Sequence, residues 1–124
     1  MILAPLLTAH GFVFTVTAQG QGSGGRFAAG RFVRGDQFIE LHARDALGLV
    51  SYGWGATTLS HRDYLGALGV RGSYPGFSSE PLDGFRHLLE DLQGPAAGFV
   101  RGTDRGSFDA LAVLARQRKP PRLP

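Results

Sequence analysis

The sequence predicts an α+β protein: a four-stranded antiparallel β-meander with helices packed on one face. Three observations carry this. Between Arg26 and Trp54, three runs alternate with period two and are joined by the two-residue turns Gly35-Asp36 and Asp45-Ala46. After Trp54 the apolar spacing changes to that of helices. Strands and helices are segregated along the chain, which favours an antiparallel meander over a doubly wound sheet.

The elements follow in order. Leu3–His10 predicts one or two helical turns stopped by Gly11. Phe12–Ala18 mixes aromatic and β-branched residues in the first strand. Gln19–Gly25 reads as a glycine-rich loop, and Arg26–Arg34, Gln37–Arg44 and Leu47–Trp54 as the other three strands. Ser60 has the chemistry of an N-cap, with Asp63 at the third helical position, Leu59 placed to staple onto Tyr64, and Gly69 closing the helix. Tyr74-Pro75-Gly76 predicts a turn within a loop spanning residues 73–80. Leu82, Phe85, Leu88, Leu89 and Leu92 form one apolar helical stripe, with Pro81 in the first turn and Gly94-Pro95 at the end. Phe99-Val100-Arg101 reads as a short extended piece. Ser107 is placed to cap a last helix running to about Gln117 and carrying Phe108, Leu111, Val113, Leu114 and Ala115.

Two-residue turns fix register, and register assigns faces. The first turn pairs Val33 with Phe38, Arg31 with Glu40 and Ala29 with His42. The second pairs Ala43 with Gly48, His42 with Leu49 and Ile39 with Tyr52. One face then holds Ala28, Gly30, Phe32, Ile39, Leu41, Ala43, Gly48, Val50, Tyr52 and Trp54, and is expected to be the core. The other holds Phe27, Arg31, Val33, Phe38, Glu40, His42, Arg44, Leu47, Leu49 and Ser51, mixing apolar with charged side chains.

A length of 124 residues suits one domain, read as 1–117 with a basic, proline-containing tail at 118–124. Hydrophobic content of 43% with 19% charged residues belongs to a globular chain. Absence of cysteine excludes disulfides, thiolate zinc sites and cysteine nucleophiles. Met1–Leu7 is apolar but lacks a basic leader and a long apolar core, so no signal peptide is expected. No run is long enough for a membrane span, and a cytoplasmic location is the expectation. The pI near 10 invites a nucleic-acid reading, but Arg116, Arg118, Lys119 and Arg122 crowd the end of the chain. Without those four cations the net charge drops from +3 to −1. A nucleic-acid partner is therefore unlikely on composition, and weak association through the tail is the form it would take.

Local motifs add little. Gly20, Gly22 and Gly25 match G-x-G-x-x-G, but a strand rather than a helix is expected to follow, so no dinucleotide is implied. Arg34-Gly35-Asp36 spells the integrin tripeptide at a hairpin tip, a short match without extracellular context. The histidines His10, His42, His61 and His87 lack metal-ligand spacing, and Ser60, Ser78, Ser79 and Ser107 lack a nucleophile-elbow context. No metal or cofactor is expected.

The candidate surface is the mixed face, namely Phe27, Arg31, Val33, Phe38, Glu40, His42, Arg44 and Leu49. Its apolar members are too many for a solvated face, and an apolar patch rimmed by charge suits a protein partner or a second copy of the chain. Two other readings stay open: a solvated face with a cross-strand Arg31–Glu40 pair, and a small-ligand or enzymatic site around Arg31, Glu40, His42 and Arg44. A non-enzymatic role is favoured, because no nucleophile or metal set accompanies Glu40 and His42.

The run from Phe32 to Arg44 (FVRGDQFIELHAR), with Ala46–Tyr52 (ALGLVSY), Tyr74-Pro75-Gly76-Phe77 and Leu82-Asp83-Gly84-Phe85, resembles the core of a group of small bacterial proteins of unknown function. That resemblance implies no activity and carries over no site residue. The order of elements, a helix ending in Gly-Phe before a meander, is also similar to small immunity-type domains of bacterial toxin systems.

Overall fold

In the computed structural model, which describes residues 2–22, 25–44, 46–74, 82–102 and 105–118, helix α1 (Ala4–Ala9) leads into a sheet. The sheet comprises β1 (Val13–Gly22), β2 (Gly25–Arg34), β3 (Gln37–Arg44), β4 (Ala46–Trp54) and β5 (Thr57–Ser60). Helices α2 (His61–Ala67), α3 (Asp83–Gln93), α4 (Ala97–Arg101) and α5 (Arg105–Arg118) follow. The strands are antiparallel and lie in sequence order, so the sheet is the expected meander with one strand more. The fifth strand follows a two-residue turn, Gly55-Ala56, with Trp54 opposite Thr57, whereas the expected Asp45-Ala46 turn is not of that kind, because Ala46 already pairs with Arg44 in β4. Only four residues long, it ends on the helix cap Ser60 itself, and the change of period there hides it.

The β2–β3 register is the predicted one at every pair from Arg34↔Gln37 to Ala29↔His42. The β3–β4 register agrees from Ile39↔Tyr52 to His42↔Leu49, then shifts, so that Ala43 faces Leu47 instead of Gly48. The shift is a bulge: one extra residue on β4 turns the next side chain to the opposite face. Leu47, expected on the mixed face, is therefore a core residue at 8% exposure, and Gly48 is exposed. Strand β1 runs on to Gly22, so Gln19–Gly25 is mostly paired strand, with Gln19 opposite Ala28 and Gly22 opposite Gly25. Ala28, expected in the core, is exposed.

The core face buries Phe32, Ile39, Leu41, Val50, Tyr52 and Trp54 under the helices. From α3 come Leu88 and Leu92 of the predicted stripe, while Leu82, just ahead of the helix, is exposed. Phe99-Val100-Arg101 is helical, not extended. Ala96, Phe99 and Val100 are all buried, and a strand would put the adjacent Phe99 and Val100 on opposite sides, whereas helical spacing puts all three on one. Helix α5 begins at Arg105, so Ser107 lies within its first turn and not ahead of it. Its buried stripe is Phe108, Ala112 and Ala115, with Leu111 half-buried, while Val113 and Leu114 face solvent. Phe99 sits at the middle of an aromatic cluster, with Tyr52, Trp54, Tyr64 and Phe108 rings 5.1–6.3 Å from its own.

Helix α2 is capped as its sequence requires: the Ser60 hydroxyl accepts the Asp63 backbone N–H at 3.1 Å. Gly69 then takes φ +77, a conformation that glycine adopts without strain. Asp45 of the second turn, the Pro75-Gly76 turn, Ser78 and Ser79, Pro81 ahead of α3, and the tail from Lys119 onward lie outside the described residues.

The register makes a direct prediction. Ile39 is fully buried, whereas Leu49, three positions along β4 from the Ile39 partner Tyr52, is 54% exposed. Ile39→Ala is expected to cost about 2–5 kcal/mol in urea unfolding. Leu49→Ala should change stability by no more than about 0.5 kcal/mol. Equal losses would mean that the two faces are wrongly assigned.

Candidate functional site

Register builds the face away from the helices in rows. Val13, Val33, Phe38 and Gly53 lie abreast across β1 to β4. Thr15, Arg31, Glu40 and Ser51 form the next row, and Ala18, Ala29, His42 and Leu49 the third. Phe27 and Arg44 face each other in a fourth row by backbone register, and their side chains lie outside the described residues.

The predicted cross-strand pair forms. Arg31 Nε donates to Glu40 Oε1 at 2.7 Å, and His42 Nε2 lies 3.4 Å from Glu40 Oε2. The Arg31 guanidinium also lies over the Phe38 ring, 4.2 Å from its centroid. That ring is laid flat on β4, where a β-carbon at Gly53 would come within 2.1 Å of it, so glycine is what leaves it room. Partial burial pushes the Glu40 carboxyl up, but hydrogen bonds and charge from Arg31 and His42 outweigh this and hold it below its ordinary range. With the Arg31 and Glu40 side chains 41% and 23% exposed, the pair contributes at most about 1 kcal/mol.

The structure thus brings together Arg31, Phe38, Glu40 and His42. Val33 lies in the row beside them and Leu49 across from His42. Sequence reasoning missed Val13, which is 67% exposed and opposite Val33 on this same face. Its alternation with Phe14 and Val16 was visible, but the β1–β2 register was not, because Gln19–Gly25 reads as a loop and the pairing shifts between Val16 and Ala18.

A second polar constellation lies on the buried side. The Tyr52 hydroxyl meets His61 Nδ1 at 2.7 Å, and His61 Nε2 meets Asp91 Oδ2 at 2.8 Å. Asp91 also accepts the backbone N–H of Ser73 at 2.6 Å and of Tyr74 at 2.9 Å. An ionised carboxylate only accepts, so His61 carries its proton on Nε2 and takes the Tyr52 O–H at Nδ1. All three side chains are buried, with exposures of 0%, 4% and 1% from Tyr52 to Asp91. Burial pushes the Tyr52 hydroxyl well above its ordinary range. Burial likewise lowers His61, and the hydrogen bond and charge of Asp91 offset this only in part. Every partner is occupied, which makes the set a tie between β4, α2, α3 and the segment after α2. Gly72 makes the close approach possible: a β-carbon there would meet Leu65 Cδ1 at 2.3 Å and Asp91 Oδ2 at 2.5 Å.

The sequence held a signal for this tie. Asp91 falls between Leu88 and Leu92 in the strongest apolar stripe of the chain. A carboxylate at that position must find donors or stay out of the core.

A third polar junction uses the first hairpin tip. Arg34 donates through Nη1 to His10 O at 2.6 Å and through Nε and Nη2 to Gln37 Oε1, while Gln37 Nε2 donates to Phe99 O at 2.8 Å. The Arg34 guanidinium covers the Phe12 ring, so the Arg34-Gly35-Asp36 tripeptide has its arginine committed to packing. Gly20 and Gly22 lie on β1 and Gly25 on β2, with no helix after them. Among the described residues, no three His, Asp or Glu side chains stand together as a metal site would require. Among the described residues, no helix is long and apolar enough to cross a membrane.

Two predictions follow from the buried tie. Asp91→Ala leaves three N–H donors without an acceptor and is expected to cost about 3–5 kcal/mol in chemical denaturation. The lowered His61 sets a pH dependence. The unfolded chain takes up this proton near pH ~6.5, the folded chain only at lower pH. The unfolded state then binds more protons, so stability present above that pH is lost as pH falls through the window. Thermal melts between about pH 7.5 and 5.5 should show this fall in the wild type and a flatter profile in His61→Phe. Parallel profiles would remove His61 as the cause.

Comparison with protein-family models, with curated proteins and with solved structures gave no match to this chain.

Proposed function

We propose that the protein is a non-enzymatic interaction domain that associates through its open sheet face, with another protein or with a second copy of itself. One observation carries this reading: the face that no helix covers presents Val13 at 67% and Leu49 at 54% exposure, with Val33 and Phe38 half-buried beside them. Apolar side chains in a cluster on a regular, rigid surface suit the centre of an interface, and charged groups suit its rim. The charges here fit that role. Arg31, Glu40 and His42 are turned on one another and on Phe38, so a partner could cover them without stranding an unpaired ion. The same pairing weighs against Glu40 and His42 as a free acid–base couple. Arg31 already holds one Glu40 oxygen, and His42 lies near the other.

The reading predicts that the wild type self-associates in light scattering, or retains a protein partner in pull-downs. Phe38→Glu and Leu49→Arg should each weaken that association about tenfold or more while leaving the melting temperature of the isolated chain nearly unchanged. A wild type that is strictly monomeric and recovers no partner would overturn it.

A further inference from the structure

Strand β5 pairs with β4 only between Ser51 and Trp54, because the chain turns into α2 at Ser60. Among the described residues, the first half of β4 therefore has β3 on one side and no strand on the other. Beside this bare edge lies an open groove of about 1040 Å³, bounded by Gly48–Val50, the start of α2 and Val70–Tyr74. The Tyr74 hydroxyl donates to the Leu47 and Gly48 carbonyls and closes one end. Asp91, through the backbone of Ser73 and Tyr74, holds the outer wall in place.

The chemistry of the walls is one-sided. Leu49 and Val70 are 54% and 44% exposed and give the groove an apolar lining. Arg62 and Arg71 also line it, both exposed and neither in an ion pair with a described residue. No carboxylate is among the described lining residues.

We propose that this groove receives an extended acidic peptide segment from a partner protein, added as a strand along Gly48–Val50 with its carboxylates on Arg62 and Arg71. Past the Gly48 carbonyl, which Tyr74 already holds, the strand edge offers backbone donors and acceptors, and a peptide in extended form matches them at a strand spacing of about 4.8 Å. Arginine adds bidentate recognition of carboxylate. The chain's own C-terminal stretch carries Arg116, Arg118, Lys119 and Arg122 without an acid, so its charge has the wrong sign to fill the site. This inference shares Leu49 with the open-face association but rests on the free edge of β4 and on different cations, Arg62 and Arg71.

The test is titration of the full-length, isotope-labelled chain, followed by amide NMR. The probe is an eight-residue peptide of alternating valine and threonine ending in two glutamates. Amide shifts concentrated at Gly48–Val50 and Arg71–Tyr74 are expected. Arg62→Ala/Arg71→Ala should weaken binding about tenfold or more, and Phe38→Glu should leave it unchanged. Both arginines are exposed, so the double variant is expected to fold, which its own amide spectrum verifies. A peptide of the same charge with proline at alternate positions cannot complete a strand ladder and should bind at least about tenfold more weakly. The proposal is overturned by equal binding of the proline peptide, of a lysine-ended peptide or of a short oligothymidylate. Absence of binding at about 1 mM peptide overturns it as well.

Discussion

The carboxylate of Asp91 is the point on which the helical layer turns. Apolar packing is strong but has no direction, and it alone would let α2 and α3 slide over the sheet. A buried charge has direction. Asp91 must collect donors from the atoms around it, and it takes them from His61 at the start of α2 and from the backbone of Ser73 and Tyr74. His61 in turn reaches Tyr52 on β4. One carboxylate thus fixes two helices, a strand and a loop relative to one another. The Arg34–Gln37 junction does similar work at the other end of the sheet, joining the end of α1 to α4.

Much of the fold was legible because local chemistry determined it. Gly35-Asp36 fixed β2 against β3 residue by residue, and Ser60 with Asp63 marked the start of α2. What was not legible depended on distant partners. The bulge that turns Leu47 inward is a choice between two nearly equal pairings, decided by the core it enters. Phe99 and Val100 look like strand residues by composition, and the aromatic cluster around Phe99 makes them helical. Val113 and Leu114 look like core residues, yet the small Ala112 and Ala115 are what fit against the sheet.

The candidate surface was legible to the same degree. Arg31, Glu40 and Phe38 meet because a two-residue turn places them, and Arg31 adds a stacking contact on Phe38 that pairing rules do not specify. Phe38 lies flat because residue 53 is glycine. The face is therefore smoother than its composition suggests, and its charges are held close to the sheet. Smoothness with internally matched charge is compatible with burial against another surface. A protruding, unpaired Glu40 would not be.

The one-sided cladding of the sheet also shapes the order of events during synthesis. The strands occupy the first half of the chain, and the side chains that cover them, Leu88, Leu92, Phe99 and Phe108, come from the second. Neighbouring strands pair through short turns, so the meander has low contact order and can form early. From that moment until the last helices leave the ribosome, Phe32, Ile39, Leu41 and Val50 lack the cover that those later side chains supply. The nascent meander is then sticky on both faces, and during that interval a chaperone or a neighbouring nascent copy would find the most to bind.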